Sequence, residues 1–286
     1  MSRSLIACAI EAGTTTVVRA KNPEPSTCTI TDVLTVRYGL DGLLGPGGAK
    51  AAAKIAKTLR KWEGEPVALS VSPGELPLLP AWFPAGAPEE LREQLCRMEA
   101  GLFFRQPDTW GWTHMPVADA REYPKGLDAR VIMFYPLELR RVIEEAIGTR
   151  HPVERFGLHV EAIAGLVGGS DEPVAVLELE EGYASFMVSR MGRVEYYRCW
   201  PVKNPGEREF FAITELGASE IDSVSVTGLA ADGASVRRIA SGASRTIDPL
   251  VIPHRIGMEG KSNNRTPATG LARAVGTALA AFAERP

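Results

Sequence analysis

Long apolar runs are scarce in this 286-residue sequence, and that scarcity excludes a membrane span. Its most apolar segments, such as 130–135 and 174–179, reach about ten residues at most, where a spanning helix needs roughly 20. No direct membrane insertion is expected. Residues 1–4 run straight into a short apolar stretch interrupted by Glu11, without the apolar core and cleavage site of a secretory signal, so a cytoplasmic location is expected. Charge of one sign is scarce too: 32 basic side chains against 35 acidic ones leave a net charge of -3, with the signs interspersed. A nucleic-acid groove draws its affinity from a basic stripe that neutralises phosphates, so no nucleic-acid partner is expected.

Cysteine and histidine are few, four of each. Cys8, Cys28, Cys96 and Cys199 form no Cys-x-x-Cys pair and read as buried reduced thiols. His114, His151, His159 and His254 have neither ligand spacing nor clustered cysteines or carboxylates beside them, so no metal site is expected. No Gly-x-Ser-x-Gly elbow is present, and Ser70, Ser72 and Ser170 lack patterned His and Asp partners, which excludes a hydrolase triad. No catalytic residue is assigned.

What is present is a globular chain, 45% hydrophobic and 23% charged, long enough to bury a sizeable core. Residues 4–20 read as a hairpin, two β-branched-rich strands about the turn Glu11-Ala12-Gly13-Thr14-Thr15. A strand near 31–38, a glycine-rich stretch 39–48 matching no P-loop, and a helix over 49–62 follow. Residues 66–71 form the next core strand, and the proline-rich 73–88 reads as a long surface loop. A helix over 89–104 carries Leu91, Leu95, Met98 and Leu102 on one face. Strands at 110–117 and 129–135 form a hairpin, and helices are expected from Pro136 to Gly148 and from His159 to Gly168.

From Pro173 the order restarts with strands at 174–179, 183–189 and 193–200, a helix over 206–216 and a strand over 223–228. Arg237 and Arg238, with residues 241–245, read as a solvated helix end and loop, residues 261–265 as a polar loop, and 268–283 as a closing helix. The shared order predicts a duplicated α/β fold: a first lobe over 1–170 with an inserted subdomain at about 73–130, and a second lobe over 171–286.

Several segments then resemble the actin-like ATPase superfamily, and within it the PilM-type pilus-assembly proteins and their relatives in type II secretion. The superfamily's first phosphate loop, Asp-x-Gly-[Ser/Thr]-x-[Ser/Thr], corresponds to Glu11-Ala12-Gly13-Thr14-Thr15-Thr16. Its second, Asp-[Ile/Leu]-Gly-Gly-Gly-Thr, corresponds to Glu178-Leu179-Glu180-Glu181-Gly182-Tyr183. The adenosine turn corresponds to Val226-Thr227-Gly228-Leu229, and the terminal helix to the run Thr269-Gly270-Leu271-Ala272-Arg273-Ala274. The segment 89–120 is similar to the inserted subdomain of PilM-type proteins. This resemblance implies a two-lobed, ribonuclease H-like duplicated fold in which any nucleotide would lie against Gly13, Thr14, Thr15, Gly182 and Gly228.

Phosphate loops use glycine backbone N–H groups to hold phosphate and an aspartate to place Mg²⁺ or water. Here Glu11 replaces that aspartate, and Glu180 with Glu181 would face the phosphates; like unit charges about 4 Å apart repel by roughly 4 kcal/mol at an effective dielectric of 20. The expectation is a non-catalytic or weakly nucleotide-binding scaffold. It has no resident cofactor and docks a peptide from a membrane-anchored partner protein, which would hold it at the inner membrane. The alternative is a divergent Mg-ATP-dependent ATPase or sugar-kinase-like phosphotransferase. Glu11 and Glu178, read as occupying equivalent turns, are candidates for a paired acid and base or a metal site. Trp82, Phe83, Trp110 and Trp112 are candidates for partner contact, and Tyr196, Tyr197, Arg198, Trp200, Phe210 and Phe211 read as core packing or a second contact patch.

Overall fold

The structure is a computed structural model describing residues 3–24, 27–74, 76–118, 126–259 and 267–283. From the N-terminus come β1 (Arg3–Ile10), β2 (Thr15–Glu24), β3 (Thr27–Val36), α1 (Leu40–Leu44), α2 (Gly48–Leu59) and β4 (Val67–Val71). Next are β5 (Leu78–Pro84), α3 (Glu89–Phe103), β6 (Trp110–Val117), β7 (Leu127–Pro136), α4 (Leu137–Ile143), β8 (Val153–Leu158) and α5 (His159–Val167). The remainder is β9 (Val174–Leu179), β10 (Tyr183–Arg190), β11 (Arg193–Pro201), α6 (Pro205–Ala218), β12 (Ser223–Thr227), α7 (Gly233–Ala243), β13 (Thr246–Pro249), β14 (Ile256–Met258) and α8 (Ala268–Ala283).

Two sheets repeat one topology. In the first, β3-β2-β1 is an antiparallel meander and β4 and β8 join β1 in parallel; in the second, β11-β10-β9 is the meander and β12 and β13 join β9 in parallel. The central strands read as near-continuous apolar runs because helices cover both faces. Leu5, Ala7 and Ala9 of β1 face α8, while Ile6, Cys8 and Ile10 face α2 and α4. One face of the second sheet packs on α6 and α7, and Val176, Met187 and Val194 of its other face share a core with Ile163 and Ala164 of α5. The five-stranded sheet lies in the expected second lobe, whereas β14 and α8, further along the chain, attach to the first sheet.

Helix α8 crosses α5 closely enough that a Cβ at Gly276 would stand 2.0 Å from the Ala162 carbonyl oxygen. That crossing brings the N-terminal half of α8 to the ends of β1 and β9, where the site lies.

The inserted unit is a three-stranded sheet, β5-β7-β6, covered by α3. Two expectations are corrected here. The proline-rich segment is not a loop throughout: Leu78–Pro84 is an edge strand, and its free edge tolerates Pro80 and Pro84, which have no N–H to donate. On α3 the buried residues are Cys96 and Ala100, with Leu91 and Leu95 half-buried, whereas Met98 and Leu102 are 66% and 78% exposed. Small side chains let the helix lie close on a narrow sheet, and that contact rotates the longer apolar residues outward. Arg237 and Arg238 lie inside α7, which is capped by Asp232, whose carboxylate accepts hydrogen bonds from the Ala234 and Ser235 N–H groups, and which runs on through 241–243. The polar segment 261–265 lies outside the described residues.

Candidate functional site

The two loops that face each other across the lobes are built alike. In the first, the Glu11 N–H donates to the Thr14 carbonyl at 2.8 Å; in the second, the Glu180 N–H donates to the Tyr183 carbonyl at 2.9 Å. Glu11 directly follows β1 and Glu180 directly follows β9, so these two residues are equivalent. This corrects the pairing of Glu11 with Glu178. Glu178 lies inside β9, one residue before its end, and matches Ala9 of β1.

The first loop is tied down by the start of α1. Leu40 N–H donates to the Glu11 carbonyl at 2.8 Å and Asp41 N–H to the Ala12 carbonyl at 3.0 Å. A Cβ at Gly39 would stand 2.1 Å from the Glu11 oxygen, so only glycine allows this approach. The three threonines divide their work. Thr14 Oγ1 donates to Glu11 Oε2 at 3.0 Å and Thr15 Oγ1 to the Tyr38 carbonyl at 2.7 Å, while the buried Thr16 Oγ1 has no partner among the described residues. Gly13 and Gly182 are exposed, and a Cβ at either would touch nothing within 4 Å. Gly228 differs: its φ is +111°, and a Cβ there would stand 2.0 Å from the Leu179 carbonyl oxygen.

Between the loops stands Arg273, the sole charged side chain of α8 and only 1% exposed. Its Nη1 donates to Glu11, and its Nη2 to both Glu178 and Glu180. Each carboxylate has a further donor: Thr14 Oγ1 for Glu11, Ser185 Oγ at 3.0 Å for Glu178, and the Leu229 N–H at 3.2 Å for Glu180. Glu11 belongs to the first lobe and the other two to the second, so one guanidinium joins the lobes. A second link is Ser72 Oγ donating to the Tyr183 hydroxyl at 3.0 Å.

Electrostatics follow from burial. Burial alone would lower the Arg273 pKa, but Glu178, Tyr183, Glu180 and Glu11 outweigh it and hold the guanidinium well above its ordinary value. Burial pushes the Glu180 carboxyl up, against the pull of Arg273. His159, fully buried at the start of α5, is held well below the usual histidine value by burial and by the Arg273 charge, against the opposing pull of a hydrogen bond to the Ser70 backbone. Burial likewise holds the Tyr183 phenol well above its ordinary value, so its proton stays on.

The structure thus brings Glu11 and Glu178 together, with a guanidinium between them. Loop-two residues Glu181 and Gly182 point to solvent. Of the aromatic candidates, Trp82 is 48% exposed on the outer strand of the inserted sheet. Phe83 is buried on the opposite face of that strand, edge-on to His114 at 5.8 Å, so its expected surface position is corrected. Trp110 and Trp112 are half-buried, Trp110 stacking on Phe104 at 4.1 Å. Tyr196 and Phe211 pack in or against the second lobe's core, whereas Trp200 and Phe210 are exposed. Arg273 belongs to the terminal-helix motif, but sequence reasoning assigns it no role there. The signal is nevertheless present, since one arginine stands alone in an alanine- and leucine-rich helix, and a buried arginine requires anions. Among the described residues no helix is long and apolar enough to cross a membrane.

No protein-family model matches the chain, and no curated protein sequence is significantly similar to it. Solved structures do match. The PilM-PilN type IV pilus biogenesis complex superposes with a TM-score of 0.68 at 14% identity, over 99% of each chain. A Bacteroides thetaiotaomicron protein with an actin-like ATPase fold and unknown function gives 0.54 at 8% identity, over 86% of this chain and 90% of that one. The cytoplasmic domain of EpsL, an inner membrane component of the type II secretion system of Vibrio cholerae, gives 0.50 at 12% identity, over 96% and 94%. Together with the repeated sheet topology and the facing loops, these likenesses establish that this chain has an actin-like ATPase fold, resembling that of PilM and of the cytoplasmic domain of EpsL.

Proposed function

We propose that this chain is a PilM-like cytoplasmic scaffold that docks a peptide of a membrane-anchored partner protein and does not work as an ATPase. The observation that carries this reading is Arg273 among Glu11, Glu178 and Glu180. A triphosphate between the loops would have to displace a buried guanidinium and then meet three carboxylates. The loop hydroxyls that would contact phosphate are already committed, Thr14 to Glu11 and Thr15 to the Tyr38 carbonyl. The residues present do not fit a Mg-nucleotide, and no chemical step is assigned.

The docking half of the proposal is supported by the likeness to PilM, which was solved with PilN, and to a domain of an inner-membrane component. Trp82, exposed on the outer strand of the inserted sheet, is the residue proposed for the partner contact.

Calorimetric titration with ATP, with and without Mg²⁺, tests the first half. Protein at a concentration sensitive to a Kd of about 100 μM, near -5.5 kcal/mol, is expected to give no heat. Saturable, metal-dependent binding would sink the scaffold reading. For the second half, fluorescently labelled cytoplasmic-tail peptides of single-span proteins encoded beside this gene are titrated with the chain. Saturation that Trp82→Ala weakens supports docking, and flat titrations for all tails count against it.

A further inference from the structure

We propose that the two lobes are joined by a guanidinium-binding site whose ligand is tethered: Arg273 is the occupant, and the site, not helix packing alone, fixes how the lobes sit. This rests on the reading that the cleft is closed to nucleotide, and it names what closes it.

The pocket has supports besides its occupant. Glu11, Glu178 and Glu180 are each oriented by a donor other than Arg273, namely Thr14 Oγ1, Ser185 Oγ and the Leu229 N–H. The acceptors are also placed for a planar fork, with one nitrogen directed to the first lobe and the other shared by two carboxylates of the second. A guanidinium carries its charge on divergent, coplanar N–H groups, whereas an ammonium is a compact point charge that cannot reach acceptors on both sides. Among the described residues no group of three or more His, Cys, Asp or Glu side chains could hold a metal ion.

One further observation places ligand chemistry here. Among the described residues Thr16 Oγ1 is fully buried and unpartnered, and it borders the pocket, because a Cβ at Gly270 would stand 2.3 Å from it and 3.0 Å from Glu11 Oε2. The pocket's acceptors serve the two terminal nitrogens of the guanidinium and offer none to Arg273 Nε. Glycine at 270 is what lets α8 deliver its arginine this deep.

The test is chemical rescue of the full-length Arg273→Ala chain. Melting is followed while guanidinium or methylguanidinium is added up to about 20 mM, far below the molar range in which guanidinium unfolds proteins. Methylammonium, Mg²⁺, Ca²⁺ and NaCl at matched ionic strength are the controls. R273A is expected to melt well below wild type and to recover at least half of the lost Tm with guanidinium or methylguanidinium, while the controls and the wild type move little. R273K is expected to melt closer to R273A than to wild type.

The proposal is overturned if R273A melts with the wild type, ignores guanidinium, or recovers equally with methylammonium or a divalent ion, since equal recovery means charge neutralisation without the fork geometry. R273K as stable as wild type overturns it too. Should R273A not fold unaided, it is refolded from denaturant by dilution into methylguanidinium or methylammonium: recovery with the first alone supports the site, and recovery with both or neither overturns it. ATP binding by the wild type would fell the underlying reading, whereas a wild type indifferent to ATP with a guanidinium-insensitive R273A fells only the tethered ligand.

Discussion

The two lobes share one strand order yet differ at the loops that face each other. In the first lobe the loop after β1 is pinned by two backbone hydrogen bonds from α1, with Gly39 permitting the approach. In the second lobe the loop after β9 exposes Glu181 and Gly182, and it is held by a backbone hydrogen bond, Val202 N–H to the Gly182 carbonyl at 3.0 Å, and by Arg208, whose Nη1 donates to the Glu180 carbonyl at 3.1 Å. Strand order is held by dozens of buried apolar contacts that no one residue controls, whereas a loop's chemistry depends on a few side chains. The topology therefore persists where the loop motifs have changed. The polar link that meets acidic groups of both lobes is an arginine supplied by α8, which packs on the first sheet.

The sharpest way to break this comparison is Arg273→Ala. Removing one partner of a buried ion cluster leaves carboxylates of both lobes uncompensated, an expected loss of about 3–5 kcal/mol in urea unfolding. A loss below about 1 kcal/mol would mean the lobes are held by apolar packing. Phe83→Ala acts elsewhere, in the inserted sheet, with an expected cost of about 3–5 kcal/mol, while Trp82→Ala on the same strand costs about 0.5 kcal/mol or less. Equal costs for the pair would contradict the alternation of that strand.

Glycines sharpen the loop comparison. Gly228→Ala places a side chain at φ +111° against the Leu179 carbonyl, a strain of about 1–3 kcal/mol. Gly13→Ala and Gly182→Ala meet open space and are expected within about 0.5 kcal/mol of wild type.

A pH dependence is expected as well. His159 has a folded-state pKa well below its unfolded value. The unfolded chain therefore binds the extra proton first, and stability present above about pH 6.5 is lost progressively as pH falls below it. Melting curves between pH 7.5 and pH 5 in steps of about half a unit should show a fall in Tm that His159→Gln flattens. A parallel fall in both proteins would assign the acid sensitivity to other groups. Burial of Glu180 works in the opposite direction, since its raised folded-state pKa costs stability as pH rises above the ordinary carboxylate range.

Much of this was legible in the sequence. The strand runs 66–71, 174–179 and 183–189, the antiparallel pair 110–117 and 129–135 and the closing helix all stand where periodicity places them, because each is a local pattern of buried and exposed positions. The proline-rich strand Leu78–Pro84 escaped because an edge position excuses prolines that a central strand would reject. The apolar face of α3 misled because two small residues, Cys96 and Ala100, form its buried seam.

By itself the sequence determined the repeated order of strands and helices and the two acidic loops, since hydrophobic period and turn chemistry are properties of neighbouring residues. Only the tertiary structure decided what neutralises those loops. Arg273 meets Glu11 across 262 positions of chain and Glu178 across 95. No local pattern encodes such a meeting, because it arises only when α8 crosses α5 at Gly276 and its N-terminal half settles, through Gly270, between the two lobes.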